Sequence, residues 1–403
     1  MTKITSKTFK INKLDLVILA GGKGTRIRSL LKGYPKPMLK FNGKNFLQYI
    51  INLVIKYPFR NIYILTGYKS KIIISKYDKK EINFVKIKCL KEKKLLGTGG
   101  ALFTLKKKLS NFILINGDTL FDIDYNKLLN TSFKNSFGTI ALIGKKNKKS
   151  TKLNNLNLKN KIIQFDTRGK FMNGGVYFFK KKFLKLIPKI KSSLEDEILP
   201  NLIKKKLING VVYNNFFIDI GSKESLKIGT KKLNKHFYRP AAFLDRDGVI
   251  NYDYGYVCSK KKFKIRKGVL KGLKHLIKNN YYIFIITNQA GIAKKKFSEK
   301  KFQNFQNFIK LKFSLKGIYF NDVEYCPYHP KGSIKKYKKR SDYRKPGNLM
   351  IKNLQKKWLI NMKKSFMIGD NITDKECANK SGLYFEYAKK DFNKQIKYVL
   401  RKN

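Results

Sequence analysis

Two aspartates one residue apart close the apolar run Ala242-Phe243-Leu244, and a glycine follows them: Asp245-Arg246-Asp247-Gly248. A buried parallel strand delivers carboxylates to its C-terminal edge in this way, and the glycine lets the backbone turn afterwards. On such an edge one carboxylate, Asp245, can attack a phosphorus centre while the other, Asp247, handles the proton. The same string also fits an ordinary strand followed by an Asp-Gly turn. Three later stretches bear on the choice. Tyr282 to Ile286 is a second apolar run, and Thr287 and Asn288 after it can donate hydrogen bonds to a phosphoryl group. Arg344-Lys345-Pro346 supplies cations, and Phe366-Met367-Ile368-Gly369-Asp370 is a third strand ending in acid.

The first half carries a different set. The strand-like run Asp15 to Ala20 leads at once into Gly21-Gly22-Lys23-Gly24-Thr25-Arg26. Clustered glycines let backbone N–H groups approach a polyphosphate, so Ala20, Gly21, Gly22, Gly24 and Thr25 form a candidate nucleotide cradle, with Lys23 and Arg26 to neutralise charge. The Gly-Lys-Ser/Thr ending of a P-loop and the dinucleotide GxGxxG spacing are both missing. Downstream, Pro35 and Pro37 are expected to hold Lys36 in a stiff extended segment that presents its ammonium at little entropic cost.

Apolar strands that alternate with helical patterns must position these groups, which makes the expected fold class α/β with two Rossmann-like three-layer domains. A length of 403 residues suffices for two cores. The helical pattern through Leu226 and Leu233 stops at Tyr238-Arg239-Pro240, placing the expected domains at 1–235 and 236–403. A hydrophobic content of 42% excludes a disordered chain, and no stretch approaches a transmembrane span. The four cysteines are far apart and fit reduced thiols of a cytoplasmic protein. Three histidines leave little room for histidine-centred catalysis.

The net charge of +66, from 91 Lys+Arg against 25 Asp+Glu, invites a nucleic-acid reading. The excess is mostly lysine spread along the whole chain, and no basic cluster coincides with a nucleic-acid motif. The expected partners are therefore small molecules, with neither nucleic acid nor membrane. A positive field would help recruit phosphorylated ones. The Lys- and Asn-rich stretch 145–161 reads as a solvated hairpin or loop without chemistry.

The run Leu16 to Leu39 resembles the signature of sugar-phosphate nucleotidylyltransferases, with glycine loop, arginine and proline-flanked lysine in order. The resemblance continues through Leu96-Gly97-Thr98-Gly99-Gly100-Ala101, and it implies that Gly97, Thr98 and Gly99 face the nucleobase. It also implies a nucleotide-diphospho-sugar transferase fold, Mg²⁺ held by Asp118 and Asp219, sugar contacts from Asn173 and Gly174, and an acidic residue near the sugar, Glu195. Where many relatives carry a Glu-Lys pair before Asn173, this chain offers Arg168 and Lys170.

In the second half, Asp245-Arg246-Asp247-Gly248-Val249-Ile250-Asn251, Thr287-Asn288-Gln289-Ala290-Gly291 and Arg344-Lys345-Pro346-Gly347 resemble the heptose bisphosphate and histidinol phosphatase branch of the haloacid-dehalogenase superfamily. That resemblance implies Asp245 as nucleophile and Asp247 as general acid, then base. Asp245, the Asp247 backbone carbonyl and Asp370 would hold Mg²⁺, while Thr287 and Lys345 stabilise the phosphoryl group. Asn251, Asp253, Tyr256, Asn288 and Arg344 are the implied substrate contacts. The branch's zinc loop is broken here, with Tyr328 and Ser341-Asp342-Tyr343 standing where ligands are needed, so no zinc is expected.

Together the resemblances imply a bifunctional enzyme of nucleotide-activated heptose biosynthesis, for surface polysaccharide or S-layer glycans. Its substrates would be heptose 1,7-bisphosphate, heptose 1-phosphate and GTP or another NTP. Other readings stay open: a mannose- or glucose-1-phosphate enzyme, a histidinol-phosphatase-like second half, or one non-catalytic regulatory half. The sequence also leaves room for a homo-oligomer.

Overall fold

The computed structural model describes residues 10–144 and 153–402. Two compact units emerge. One runs up to Ile51 and includes Phe59–Glu81 and Val85–Lys232, and the other comprises Asn52–Pro58, Ile82–Phe84 and the chain from Leu233 onward. The division falls inside the helix Lys223–Phe237, which ends just before Pro240.

In the first unit the short apolar runs become strands because both faces of the central ones are covered. Leu16, Val17, Ile18, Ile113 and Leu114 are fully buried, and such continuous runs fit the middle of a parallel sheet. Among the described residues the sheet has ten strands, and its order begins Leu156–Lys159, Ile162–Phe165, Ile208–Tyr213, Gly138–Gly144, Phe171–Phe179. It continues through Phe112–Asn116, Asp15–Ala20, Asn61–Thr66 and Val85–Lys91 to Glu81–Ile82. Asp15–Ala20 pairs in parallel with both neighbours, with Leu16 opposite Ile62 and Ile113. Phe171–Phe179 runs antiparallel to Phe112–Asn116. A two-stranded ribbon, Thr119–Phe121 against Phe217–Asp219, places Asp219 opposite Thr119. The stretch read as a solvated hairpin or loop lies partly outside the described residues; its last residues form the first strand and turn of the antiparallel hairpin 156–165.

The second unit has a five-stranded, all-parallel sheet in the order Asp322–Cys326, Tyr282–Asn288, Ala241–Leu244, Phe366–Gly369, Tyr384–Tyr387. Its helices cover it with helix-period apolar stripes. In Val269–Lys278 the buried positions are Val269, Gly272, Leu273 and Leu276, spaced by three, one and three residues. The helix Ile372–Asn379 opens with a capping box, in which Asn371 and Asp374 satisfy each other's backbone donors. Among the described residues no helix is long and apolar enough to cross a membrane.

Two candidate active sites

The larger cavity, about 600 Å³, opens at the C-terminal ends of the first unit's parallel strands. Its lining includes Ala20, Gly21, Gly22, Gly24, Thr25, Arg26, Lys36, Gly97, Thr98, Asp118, Asn173, Glu195 and Asp219, so groups read separately along the chain meet here. Lys36 departs from the expected extended segment. Pro35 is extended, but Lys36–Met38 forms one 3-10 turn, with Pro37 near its start where a missing N–H costs nothing. The turn buries Lys36 and brings its Nζ to 2.6 Å from Asp118 Oδ2.

Burial alone would raise Asp118, but the Lys36 charge and hydrogen bonds outweigh it and hold the carboxyl below its usual range. Asp219 goes the other way, to about 6, because burial and the Asp118 charge outweigh Lys36, the Gly221 N–H and Arg26. The Thr119 hydroxyl lies 3.4 Å from a carboxylate oxygen of each aspartate. A pair of acids in this state suits a hard cation bound through oxygen.

Glu195 is buried and fixed, accepting the Thr98 hydroxyl at 2.6 Å and the Asn116 amide at 3.2 Å. The Thr98 hydroxyl in turn accepts the Leu194 N–H, so it is spent within the protein. Asn173 donates to the Tyr177 hydroxyl at 2.6 Å and accepts the Gly175 N–H. Gly174 and Gly99 do not line the cavity. Gly174 packs on the Phe121 ring and Gly99 against Ser192, where any larger residue collides. Arg168 and Lys170 also lie off the lining, and Asp166 ties the Arg168 N–H into the turn that follows the hairpin; Lys191 lines the cavity. Sequence reasoning missed Glu92, Asn116, Thr119 and Lys191.

The second cavity, about 330 Å³, sits at the matching edge of the five-stranded sheet. Asp245, Asp247, Thr287 and Asp370 line it with Asp253, Tyr256, Asn288, Arg344, Lys345 and Asp374. Lys345 is fully enclosed, with Nζ 2.9 Å from Asp245 Oδ1 and 2.5 Å from Asp374 Oδ1. Burial pushes Asp245 up to about 7 against the pull of Lys345, and the Asp374 and Asp247 charges add to the rise. Asp245, Asp370 and Asp374 each offer an oxygen within 4.8 Å of the others. Gly248, at φ +79°, is required because a Cβ there would strike the Asp370 carboxylate.

Asp247 is held by four donors. Arg246 gives Nε at 3.2 Å and Nη2 at 2.6 Å, Asn251 gives its amide at 2.9 Å, and Gln289 gives its amide at 3.1 Å. Its carboxylate is not part of the three-acid group, and Asp374 is the acid that sequence reading overlooked. Its signal was a second aspartate four residues after Asp370 at a helix start. Asn251 is fully buried and off the lining, so it positions Asp247 instead of touching substrate. Asn288 lines the cavity, and its amide also engages the Lys345 backbone on both sides. Among the described residues the three-acid group is the one cluster of metal-ligating type, while Cys326 Sγ contacts the Tyr328 carbonyl and His329 accepts the Lys331 N–H.

The model of the family described as Nucleotidyl transferase matches residues 16–236, and that described as Polynucleotide kinase 3 phosphatase matches 244–399. The chain belongs to the nucleotidyl transferase family. Its other half is 39% identical over 163 residues to the D-glycero-beta-D-manno-heptose-1,7-bisphosphate 7-phosphatase of Rhodopseudomonas palustris, covering 40% of this chain and 91% of that one. The namesake from Vibrio cholerae is 38% identical over 36% of this chain and 78% of its own. That half therefore belongs to the same phosphatase family. The solved structure of HddC from Yersinia pseudotuberculosis is similar at 30% identity over 55% of this chain and 99% of that one, with a TM-score of 0.48. The transferase half and the haloacid-dehalogenase-like phosphatase half make this a two-domain α/β enzyme with nucleotidyltransferase and phosphomonoesterase activities.

Proposed function

We propose that the phosphatase half removes the 7-phosphate of D-glycero-D-manno-heptose 1,7-bisphosphate and that the transferase half, residues 1–235, joins the resulting heptose 1-phosphate to GMP from GTP. The observation that carries this reading is the pairing on one chain. Residues 236–403 hold a carboxylate-nucleophile pocket in a region that matches 91% of a heptose bisphosphate phosphatase, and the nucleotidyl-transfer pocket precedes it. The product of the second site is then the substrate of the first.

In the phosphatase site Asp245 attacks the phosphorus and the P–O bond to C7 breaks. Asp247 protonates the leaving alkoxide, then takes a proton from the water that hydrolyses the aspartyl-phosphate. Lys345 cancels the repulsion between carboxylate and phosphate, Thr287 donates to the phosphoryl group, and Arg344, Asp253 and Tyr256 hold the remainder of the substrate. In the transferase site the sugar phosphate attacks the α-phosphorus and pyrophosphate leaves with no covalent enzyme intermediate. Lys36, Arg26 and the glycine loop align and neutralise the phosphates, and Glu195 and Asn173 face the sugar.

Asp245, Asp370 and Asp374 in one site, and Asp118 and Asp219 in the other, would hold Mg²⁺, since both sets are hard oxygen donors gathered at a cavity. When bound, the ion withdraws charge from the phosphoryl oxygens. The setting is cytoplasmic biosynthesis of surface glycans, lipopolysaccharide or S-layer, by a monomer or homo-oligomer acting on small molecules.

The test incubates full-length protein with Mg²⁺ and the bisphosphate, following phosphate and then, after GTP, pyrophosphate. Both products are expected, with phosphate lost in Asp245→Asn and pyrophosphate lost in Asp118→Asn. Release of neither would overturn the heptose assignment.

A further inference from the structure

The strand Asp322–Cys326 is an edge of the second unit's sheet, yet it carries two buried acids that the chemistry above does not use, Asp322 and Glu324. Each oxygen of Glu324 is engaged: Oε1 accepts from Lys357 Nζ at 2.5 Å, and Oε2 accepts from the Tyr343 hydroxyl. Asp322 shares Lys357 at 3.2 Å and takes the Trp358 indole N–H at 3.4 Å. Burial pushes the Glu324 carboxyl up to about 7 against the pull of Lys357, and the Asp322 charge adds to the rise. An ion pair so placed does not reliably return its desolvation cost, and an apolar residue of similar volume would serve stability as well. What the acid does supply is direction, because it selects one arrangement of the donors around it.

That arrangement bears on Lys345. Glu324 stands opposite Ile286 in the parallel pairing with Tyr282–Asn288, and the Ile286 carbonyl accepts from Lys345 Nζ at 3.0 Å. One rung of the sheet therefore takes both the Tyr343 hydroxyl, through the Glu324 side chain, and the Lys345 ammonium, through the Ile286 backbone. Between the two sits Arg344, which lines the cavity and whose Nη1 is buried with no hydrogen-bond partner among the described residues. The same loop leads into the helix Leu349–Lys357, whose last residue returns to Glu324 and whose Asn353 amide donates to the Tyr343 hydroxyl at 3.3 Å. Loop and helix converge on one carboxylate.

We propose that Glu324 is a positioning residue of the phosphatase: through Tyr343 it sets the loop from which Arg344 and Lys345 enter the cavity. The proposal rests on the phosphatase reading of that cavity, and not on the identity of the sugar. Neither Glu324 nor Tyr343 lines the cavity, so both act only through where their neighbours stand. Lys345 has to meet a carboxylate and a phosphoryl group together, and a misplacement of about 1 Å can cost on the order of 100-fold in rate. A hydroxyl donating to a carboxylate is a short, charge-assisted hydrogen bond and holds its loop more firmly than a neutral one.

The experiment measures phosphate release by full-length protein with Mg²⁺, from heptose 1,7-bisphosphate and from p-nitrophenyl phosphate, well below each variant's melting temperature. Tyr343→Phe removes one hydroxyl and leaves Glu324 paired with Lys357; kcat should fall on the order of 10-fold on each compound that wild type turns over. Glu324→Leu leaves Lys357 paired with Asp322 and should show the same loss, and the double variant should be within about 2-fold of either single one. Glu324→Gln keeps a carbonyl acceptor for the Tyr343 hydroxyl and should recover most of kcat. An unchanged kcat in Tyr343→Phe beside a lowered melting temperature would make the bond merely structural and overturn the proposal, as would losses that multiply in the double variant. Release of phosphate from neither compound by wild type would overturn the phosphatase reading, and the proposal with it.

Discussion

Asn288 and Lys345 hold each other by a reciprocal pair of hydrogen bonds: the Asn288 amide donates to the Lys345 carbonyl at 3.0 Å and accepts the Lys345 N–H at 3.0 Å. The backbone that carries Lys345 is thereby fastened to the end of the strand Tyr282–Asn288. Lys345 Nζ then reaches the Ile286 carbonyl on the same strand at 3.0 Å, so the side chain is aimed from both ends.

Asn288→Ala should therefore lower phosphatase kcat with little change in KM. A displacement of Lys345 by about 1 Å is enough for a loss on the order of 100-fold. Steady-state phosphate release against bisphosphate concentration checks it. A rise in KM with unchanged kcat would instead mean that Asn288 contacts substrate.

The three-acid group of the phosphatase gives a prediction with a thermal readout. Mg²⁺ at about 100 times its Kd should stabilise the domain by about 2.7 kcal/mol, a rise of several degrees in melting temperature. Asp370→Asn should abolish most of that Mg²⁺-dependent rise, because Asp370 is the ligand least committed to other partners: Lys345 pairs with Asp245 and Asp374. Differential scanning calorimetry with and without the ion measures both. An equal shift in wild type and variant would place the ion elsewhere.

Legibility in the sequence followed contiguity. Asp118, Asp245 and Asp370 each end an apolar run, so strand, edge and acid are written in one string, and the glycine loop follows its strand directly. Glu92 and Asn116 gave no such sign, because their meaning lies in partners far along the chain. Asn116 meets Glu195 across 79 positions, and Glu92 lies against Gly21. Arg168 and Lys170 looked like available cations because they stand near Asn173 in the chain. That segment lies off the cavity, and Lys191 lines it from another loop. The amides of Asn251 and Asn288 were polar enough to suggest substrate contacts. Only the fold shows that they also bind Asp247 and the Lys345 backbone.

Thr119 links the two acids of the transferase site, and Thr119→Val removes that link while keeping the side chain's shape. Without the shared hydroxyl the carboxylates of Asp118 and Asp219 lose a common anchor 3.4 Å from each. Nucleotidyl transfer should fall by about 10-fold or more, read as kcat, with nucleotide affinity nearly unchanged, since one hydrogen bond to a charged group contributes about 1.5–3 kcal/mol. An effect confined to nucleotide affinity would assign Thr119 to binding.

The segment between Cys326 and Arg344 is fastened by side-chain hydrogen bonds. Glu299, in the helix Glu299–Ser314, accepts the Tyr325 hydroxyl at 2.8 Å and the Tyr337 hydroxyl at 2.6 Å, and Lys339 lies over the Tyr328 ring at 4.1 Å. Both hydroxyls donate to one carboxylate, a charge-assisted arrangement stronger than two neutral hydrogen bonds. Tyr325 lies in its strand one residue before the last, Cys326, and Tyr337 lies in the loop itself, so this carboxylate staples loop to sheet. Glu299→Ala should cost about 2 kcal/mol and lower the melting temperature of the phosphatase domain by about 4–8 °C. Glu299→Gln, which keeps an acceptor but loses the charge, should fall between the two. A zinc-selective chelator should leave all three proteins unchanged, and zinc content by atomic absorption should stay well below one ion per chain. A chelator-sensitive melting temperature in wild type would instead mean that Cys326 and His329 recruit a metal and that the tyrosine staple is secondary to it.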